Sequence, residues 1–112
     1  MKKNLFTLIF ISLTLFCKPN ADTKNRVETL LKQNALVVDV RTLEEFNSEH
    51  YPKAKHIPLN EIENRISEFG EKSKPIVLYC RSGNRSGKAK LILEQAGFTN
   101  ITNAGGLADM PK

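Results

Sequence analysis

The residues with the most chemistry to offer lie together in "YCRSGNRS", positions 79–86, where a cysteine ends an apolar run and a cationic, glycine-bearing turn follows. If this stretch is strand end, turn and helix start, successive backbone N–H groups of the turn can converge as an anion nest. The helix adds its unpaired first N–H groups and the positive end of its dipole. Arg81 and Arg85 bring formal positive charge, and Gly83 lets the backbone bend without a Cβ clash. Each influence stabilises a thiolate at Cys80 and lowers the pKa of its thiol. A thiolate cupped by N–H donors is both a nucleophile and the centre of an anion site. The competing assignment is a small buried hydrophobe, which a cysteine at the end of an apolar strand often is. The turn argues against it, because a purely structural turn rarely combines Cys, Gly and two Arg at such a junction.

Spacing narrows the reaction class. Cysteine phosphatases place five residues between nucleophile and arginine, a loop wide enough to encircle a phosphoryl group. Here only Arg81, Ser82, Gly83 and Asn84 separate Cys80 from Arg85, and position 86 is Ser. The tighter loop suits a smaller sulfur species bonded to Cys80 better than a tetrahedral phosphate. Sulfur transfer is therefore favoured, with a small phosphatase or arsenate reductase as the disfavoured alternative. Asp39 and Arg41 follow another apolar run, and such a charged pair after a strand is most often structural. His50 and His56 are distant in sequence from Cys80, which gives neither a general-base role.

Elements must hold these residues in place, and the hydrophobic pattern supplies them. "ALVVDV" (35–40) and "KPIVLYC" (74–80) are short, β-branched apolar runs of the kind that form buried strands. Helices are predicted over 22–34, with Val27, Leu30 and Leu31 on one face, and over 60–70, with an Asn60 N-cap, Ile62, Ile66 and Phe69 inward and a Gly70 stop. A further helix is predicted over 86–98, with Ala89, Ile92, Leu93 and Ala96 on its inner face and Gly97 as cap. Residues 41–50 read as a polar turn or short helix, and Pro52 and Pro58 make 51–60 a loop with a brief extended piece at His56 and Ile57. One more strand and a glycine corner at Gly105 and Gly106 close the chain. Alternating strands and helices predict one α/β domain, a central parallel sheet with helices on both faces. Sites in such sheets form at strand C-terminal ends, where Cys80 and the 39–41 pair both stand.

The first 21 residues stand apart. Lys2 and Lys3 precede an apolar run from Leu5 to Phe16, too short for a spanning helix and without a polar face at helical spacing. That is the pattern of an export signal. Two processing points are open: a cut after Ala21, or lipidation of Cys17 behind an imperfect lipobox. Residues 22–112 carry 14 Lys and Arg against 12 Asp and Glu, so without the leader the formal charge falls from +5 to +2. A nucleic-acid partner thereby loses its main support. The remaining domain, expected to be monomeric, holds Cys80 with no disulfide mate, so its thiol is either inert or kept for its chemistry.

Together these stretches resemble the rhodanese-like family. "VVDVRTLEEF" is similar to its D-x-R-x-x-x-E-[FY] element through Asp39, Arg41, Glu45 and Phe46. "EHYPKAKHIPL" is similar to its His-to-Pro segment, although Lys53 replaces a usual Gly and His56 a common Asn. "YCRSGNRSGKAKLILEQAGF" and "NAGGL" match the active loop with its helix and the glycine corner. The resemblance covers about residues 35–110 and implies a periplasmic thiosulfate sulfurtransferase. Cys80 would carry a persulfide held by the N–H groups of Arg81, Ser82, Gly83, Asn84 and Arg85, the two arginines would steer the anion, and Asp39 and Arg41 would act as scaffold. Cyanide or a thiol would accept the sulfur, with no metal or organic cofactor. The domain is short for the family, which predicts a sheet lacking an edge strand or cap.

Overall fold

The computed structural model describes residues 19–112. Cys17 and the predicted leader as far as residue 18 lie outside the described residues. Four segments form strands: β1 (Leu36–Asp39), β2 (Lys55–His56), β3 (Ile76–Cys80) and β4 (Ile101–Gly106). They form one sheet in the order β2-β1-β3-β4, with every neighbouring pair parallel. All strand C-terminal ends therefore meet along one edge, and the central strand β3 delivers Cys80 there with all five of its residues buried.

Alternation along β1 and β3 divides the core. Val38, Ile76, Leu78 and Cys80 point to one face, where they pack with Ala89, Leu93, Phe98 and the Ile62–Phe69 region. Val37, Val77 and Tyr79 point to the other, against Val27, Leu30, Ala104 and Met110. Of the three helices, α1 (Ala21–Lys32), α2 (Leu43–Ser48) and α3 (Asn84–Gln95), the first and third contribute to these cores. The α1 and α3 faces cover opposite sides of the sheet, as parallel strands buried on both faces require. Among the described residues no helix is long and apolar enough to cross a membrane.

Helix ends show why the boundaries fall where they do. Asn20 Oδ1 accepts the Thr23 N–H at 2.8 Å, so α1 begins at Ala21 rather than at 22. It stops at Lys32 because Asn34 turns to φ 59° and the Ala35 N–H bonds back to Leu30 O. Gly97, at φ 99°, ends α3 in the same way, with the Phe98 N–H on Leu93 O. Helix α3 starts at Asn84, two residues before the predicted position, because Gly83 completes the turn at φ 95°. Helix α2 is fastened by a capping box between Thr42 and Glu45.

The predicted helix over 60–70 is corrected. Its place is taken by two 3-10 segments, Leu59–Glu61 and Glu63–Phe69, and Asn60 lies inside the first without capping anything. Arg65 departs to φ −126°, held by Glu61, Glu68 and the carbonyl of His56. Ile62 and Phe69 are buried and Ile66 packs against them, so the apolar period survives while the helix type changes.

Two leucines on α3 separate core from surface. Leu93 is fully buried and Leu91 is 60 % exposed. Leu93→Ala should lower unfolding free energy by about 2–5 kcal/mol, whereas Leu91→Ala should shift the urea midpoint little. Equal effects from the two variants would contradict the placement of α3.

Candidate active site

Strand β3 ends in a buried sulfur. Cys80 is 0 % exposed, and its Sγ accepts the Gly83 N–H at 2.9 Å and lies 3.3 Å from the Ser86 hydroxyl. The left-handed turn at Gly83 folds the loop back over the cysteine and points that N–H inward. Burial pushes the thiol pKa up. The Ser86 hydroxyl and the backbone N–H groups of Ser86, Gly83 and Ser82 oppose this, and the balance lowers the pKa below its ordinary value. The arrangement is a strand-to-helix anion cup with the sulfur as its occupant.

The cup is closed from β4. Asn103 Nδ2 donates to Gly83 O at 2.9 Å, and its Oδ1 accepts from Ser86 Oγ at 2.7 Å and from the Gly105 N–H at 3.0 Å. Asn103 stands in regular register beside Leu78, and one extra β4 residue follows it before Gly106 pairs with Cys80. Gly106 then lies so close to the loop that a Cβ there would stand 2.1 Å from Arg81 O. The predicted glycine corner is thus a point where two backbones touch. Ser86 and Asn103 escaped the sequence reading. A hydroxyl in the first turn after the cysteine was a usable signal for Ser86, but nothing near Cys80 in sequence pointed to Asn103.

The arginines and the 39–41 pair divide into separate tasks. Arg85 donates Nη1 and Nη2 to Glu45 of α2 at 2.6 and 3.0 Å, so its guanidinium is committed to a carboxylate beside the loop. Arg85 holds the Glu45 carboxyl down to about 2, against partial burial and with help from Thr42. Arg81 is exposed, as are Ser82 and Asn84. Asp39 is fully buried: its carboxylate accepts Nε and Nη2 of Arg41 at 2.7–3.1 Å and the Tyr79 hydroxyl at 2.7 Å. Tyr79 in turn accepts the Tyr51 N–H, and Arg41 Nη2 also donates to Glu49 O. This network ties the end of β1 to the residue preceding Cys80. His50 and His56 both stack on Phe46, with ring centroids 3.8 and 4.7 Å away, and neither is among the groups bonded to Sγ.

A groove of about 1050 Å³ runs beside the loop, lined by Arg81, Glu45, Glu49, Tyr51, Leu107 and Met110 among others. Cys80 does not line it, so the groove adjoins the cup without being its floor. No cluster of three potential metal ligands occurs among the described residues.

Comparison with known proteins agrees with this geometry. Residues 23–109 match the family described as rhodanese-like domain. The chain is 44 % identical over 78 residues to thiosulfate sulfurtransferase PspE of Escherichia coli K12, an alignment covering 67 % of this chain and 75 % of that one. It is 39 % identical over 67 residues to the putative sulfur carrier protein YrkF of Bacillus subtilis, covering 60 % of this chain and 36 % of the relative. A solved rhodanese with anions from E. coli superposes with a TM-score of 0.65 at 41 % identity, over 69 % of this chain and 94 % of that chain.

Two variants test the geometry. Gly106→Ala must move the Arg81 carbonyl, and it should cost about 1–3 kcal/mol of stability and slow alkylation of Cys80 by iodoacetamide. Unchanged alkylation would show that the contact is dispensable. Glu45 has a depressed pKa, so the stabilisation from its pair with Arg85 is present above about 4.5 and lost as pH falls towards about 2. Glu45→Gln should therefore be less stable than wild type by roughly 0.2–1 kcal/mol at neutral pH. Urea melts should show the gap closing through that acid window, and a gap that persists would contradict the pairing.

Proposed function

The chain belongs to the rhodanese-like domain family, and from that premise we propose that it is a thiosulfate sulfurtransferase working through a persulfide on Cys80. The observation that carries the reading is the convergence of the Gly83 N–H and the Ser86 hydroxyl on a wholly buried Sγ. A desolvated thiolate is a strong nucleophile, and the loop N–H groups remain for the persulfide anion that replaces it. The thiolate attacks the sulfane sulfur of thiosulfate; a new S–S bond forms as the old one breaks, and the bonding pair leaves on sulfite. Cyanide, or a thiol, then removes the outer sulfur and restores the thiolate. Such displacement at sulfur calls for no metal or organic cofactor.

Residues 81–85 take distinct parts. Gly83 supplies the N–H that the sulfur accepts, and Ser82 adds a second backbone donor. Exposed Arg81 is the steering cation for a dianionic donor, and Arg85, shared with Glu45, contributes a weaker field. Asn84 opens α3 and lends the helix N-terminus to the cup. Asp39 and Arg41 support the loop from below through Tyr79.

The same reading assigns residues 1–21 as a leader and 22–112 as a monomeric periplasmic domain, or one anchored through a lipid on Cys17. The α1 cap favours processing at Cys17, because a cut after Ala21 would remove Asn20 and cost about 1 kcal/mol of helix stability. A second reading, a carrier that hands its persulfide to a protein acceptor, draws on the similarity to a putative sulfur carrier and on a groove far larger than cyanide needs.

Purified protein should form thiocyanate from thiosulfate and cyanide, and Cys80→Ser should reduce this to background. Thiosulfate alone should add one sulfur atom to the intact mass of wild type but not of the variant. Persulfide without cyanide turnover selects the carrier reading. Neither persulfide nor turnover overturns both, and Cys80-dependent hydrolysis of an aryl phosphate would establish the phosphatase alternative.

A further inference from the structure

The Ser86 hydroxyl stands between two acceptors and has one proton to give. Its Oγ lies 2.7 Å from Asn103 Oδ1 and 3.3 Å from Cys80 Sγ. The Asn103 amide cannot turn over to relieve the competition. Its Nδ2 meets a backbone carbonyl, Gly83 O, and its Oδ1 meets a backbone N–H, that of Gly105. Both partners have fixed polarity, so Oδ1 faces Ser86 as an acceptor.

Each state of the sulfur makes a different demand on that proton. A neutral thiol donates to Ser86 Oγ while the hydroxyl donates onward to Asn103, and both bonds form together. A thiolate needs the hydroxyl proton itself, so Ser86 must turn away from Asn103. In a persulfide the negative charge sits on the outer sulfur, Sγ is a neutral divalent atom, and the hydroxyl is free to return to Asn103.

We propose that Asn103 is a positioning residue that acts on Cys80 through Ser86, drawing the hydroxyl proton away from the sulfur and so favouring the persulfide over the thiolate. The inference rests on the persulfide reading above and deepens it. In the step concerned, thiolate and thiosulfate become persulfide and sulfite; Sγ gives an electron pair to the new bond and sulfite leaves with the old one. Total charge is unchanged, and the charge on the cysteine moves one atom outward, beyond the contested hydroxyl. Arg85 of α3 is the charged group coupled to the sulfur, and its own charged neighbours are Glu45 of α2 and Arg41 after β1. Strand β4, which carries Asn103, has no charged residue, and Asp109 beyond it is bound to the Gly106 N–H. None of these changes in the variants below.

A double-mutant cycle tests the relay. The thiol pKa of Cys80 is read from thiolate absorbance without thiosulfate, and the persulfide fraction from intact mass at a fixed thiosulfate-to-sulfite ratio. Ser86→Ala should raise the thiol pKa. Asn103→Ala should lower it and shift the persulfide equilibrium about three- to tenfold toward thiolate, the size of one hydrogen bond. In the Ser86→Ala background, Asn103→Ala should change neither. An Asn103→Ala variant that raises the pKa, or changes it equally with and without Ser86, overturns the proposal and makes Asn103 only a strut for the Gly83 carbonyl. Should Asn103→Ala fail to fold, Asn103→Ser removes the amide while keeping a small polar residue, and the same cycle applies. A wild type that forms no persulfide overturns the functional reading instead, while the pKa cycle still judges the relay.

Discussion

A sulfur atom sealed from water carries negative charge only where fixed polar hydrogens replace the solvent. That constraint organises the C-terminal edge of the sheet. Cys80 is fully buried, so its anion depends on the Gly83 N–H, the neighbouring loop amides and the Ser86 hydroxyl. Gly83 must take a left-handed φ of 95° to aim its N–H, and Gly106 must lack a Cβ so that the loop can lie against β4. From β4, Asn103 serves the same end by donating to the Gly83 carbonyl. Loop, helix start and glycine corner are one device for keeping donors around a buried atom.

Two ion pairs hold this edge, and they differ in what they are worth. The Asp39–Arg41 pair is buried and shares its carboxylate with the Tyr79 hydroxyl, so removing one partner would strand a charge without water, at a cost of about 3–5 kcal/mol. Its value is less in net attraction than in fixing the residue immediately before Cys80 against β1. The Glu45–Arg85 pair is roughly a third exposed and correspondingly weaker, but it joins α2 to the first turn of α3. It also engages Nη1 and Nη2 of Arg85, which would otherwise be offered to an anion. Exposed Arg81 is left as the cation beside the mouth of the loop.

Local patterning made most of the fold legible. The runs "ALVVDV" and "KPIVLYC" are too short and too β-branched for helices, and they became β1 and β3. Gly97 stopped α3 where its sequence position implied. The 60–70 segment misled because its apolar spacing fits a 3-10 path along the core as well as an α-helix, and the side-chain ties of Arg65 decided between them. Asn60 looks like a cap only if the helix behind it exists.

For the site, the sequence by itself determined the chemistry on offer: a cysteine at a strand end, a glycine that can turn backward, cationic residues and a helix to follow. These are local properties, fixed by residue type and by spacings of a few positions. Only the tertiary structure decided which groups serve the sulfur. Arg85 is drawn to Glu45, forty residues away in sequence, and Asn103 reaches the loop from the neighbouring strand, where it pairs with Leu78. Hydrogen bonds have strict range and direction, and sequence separation carries no information about either once parallel strands bring distant residues to one edge.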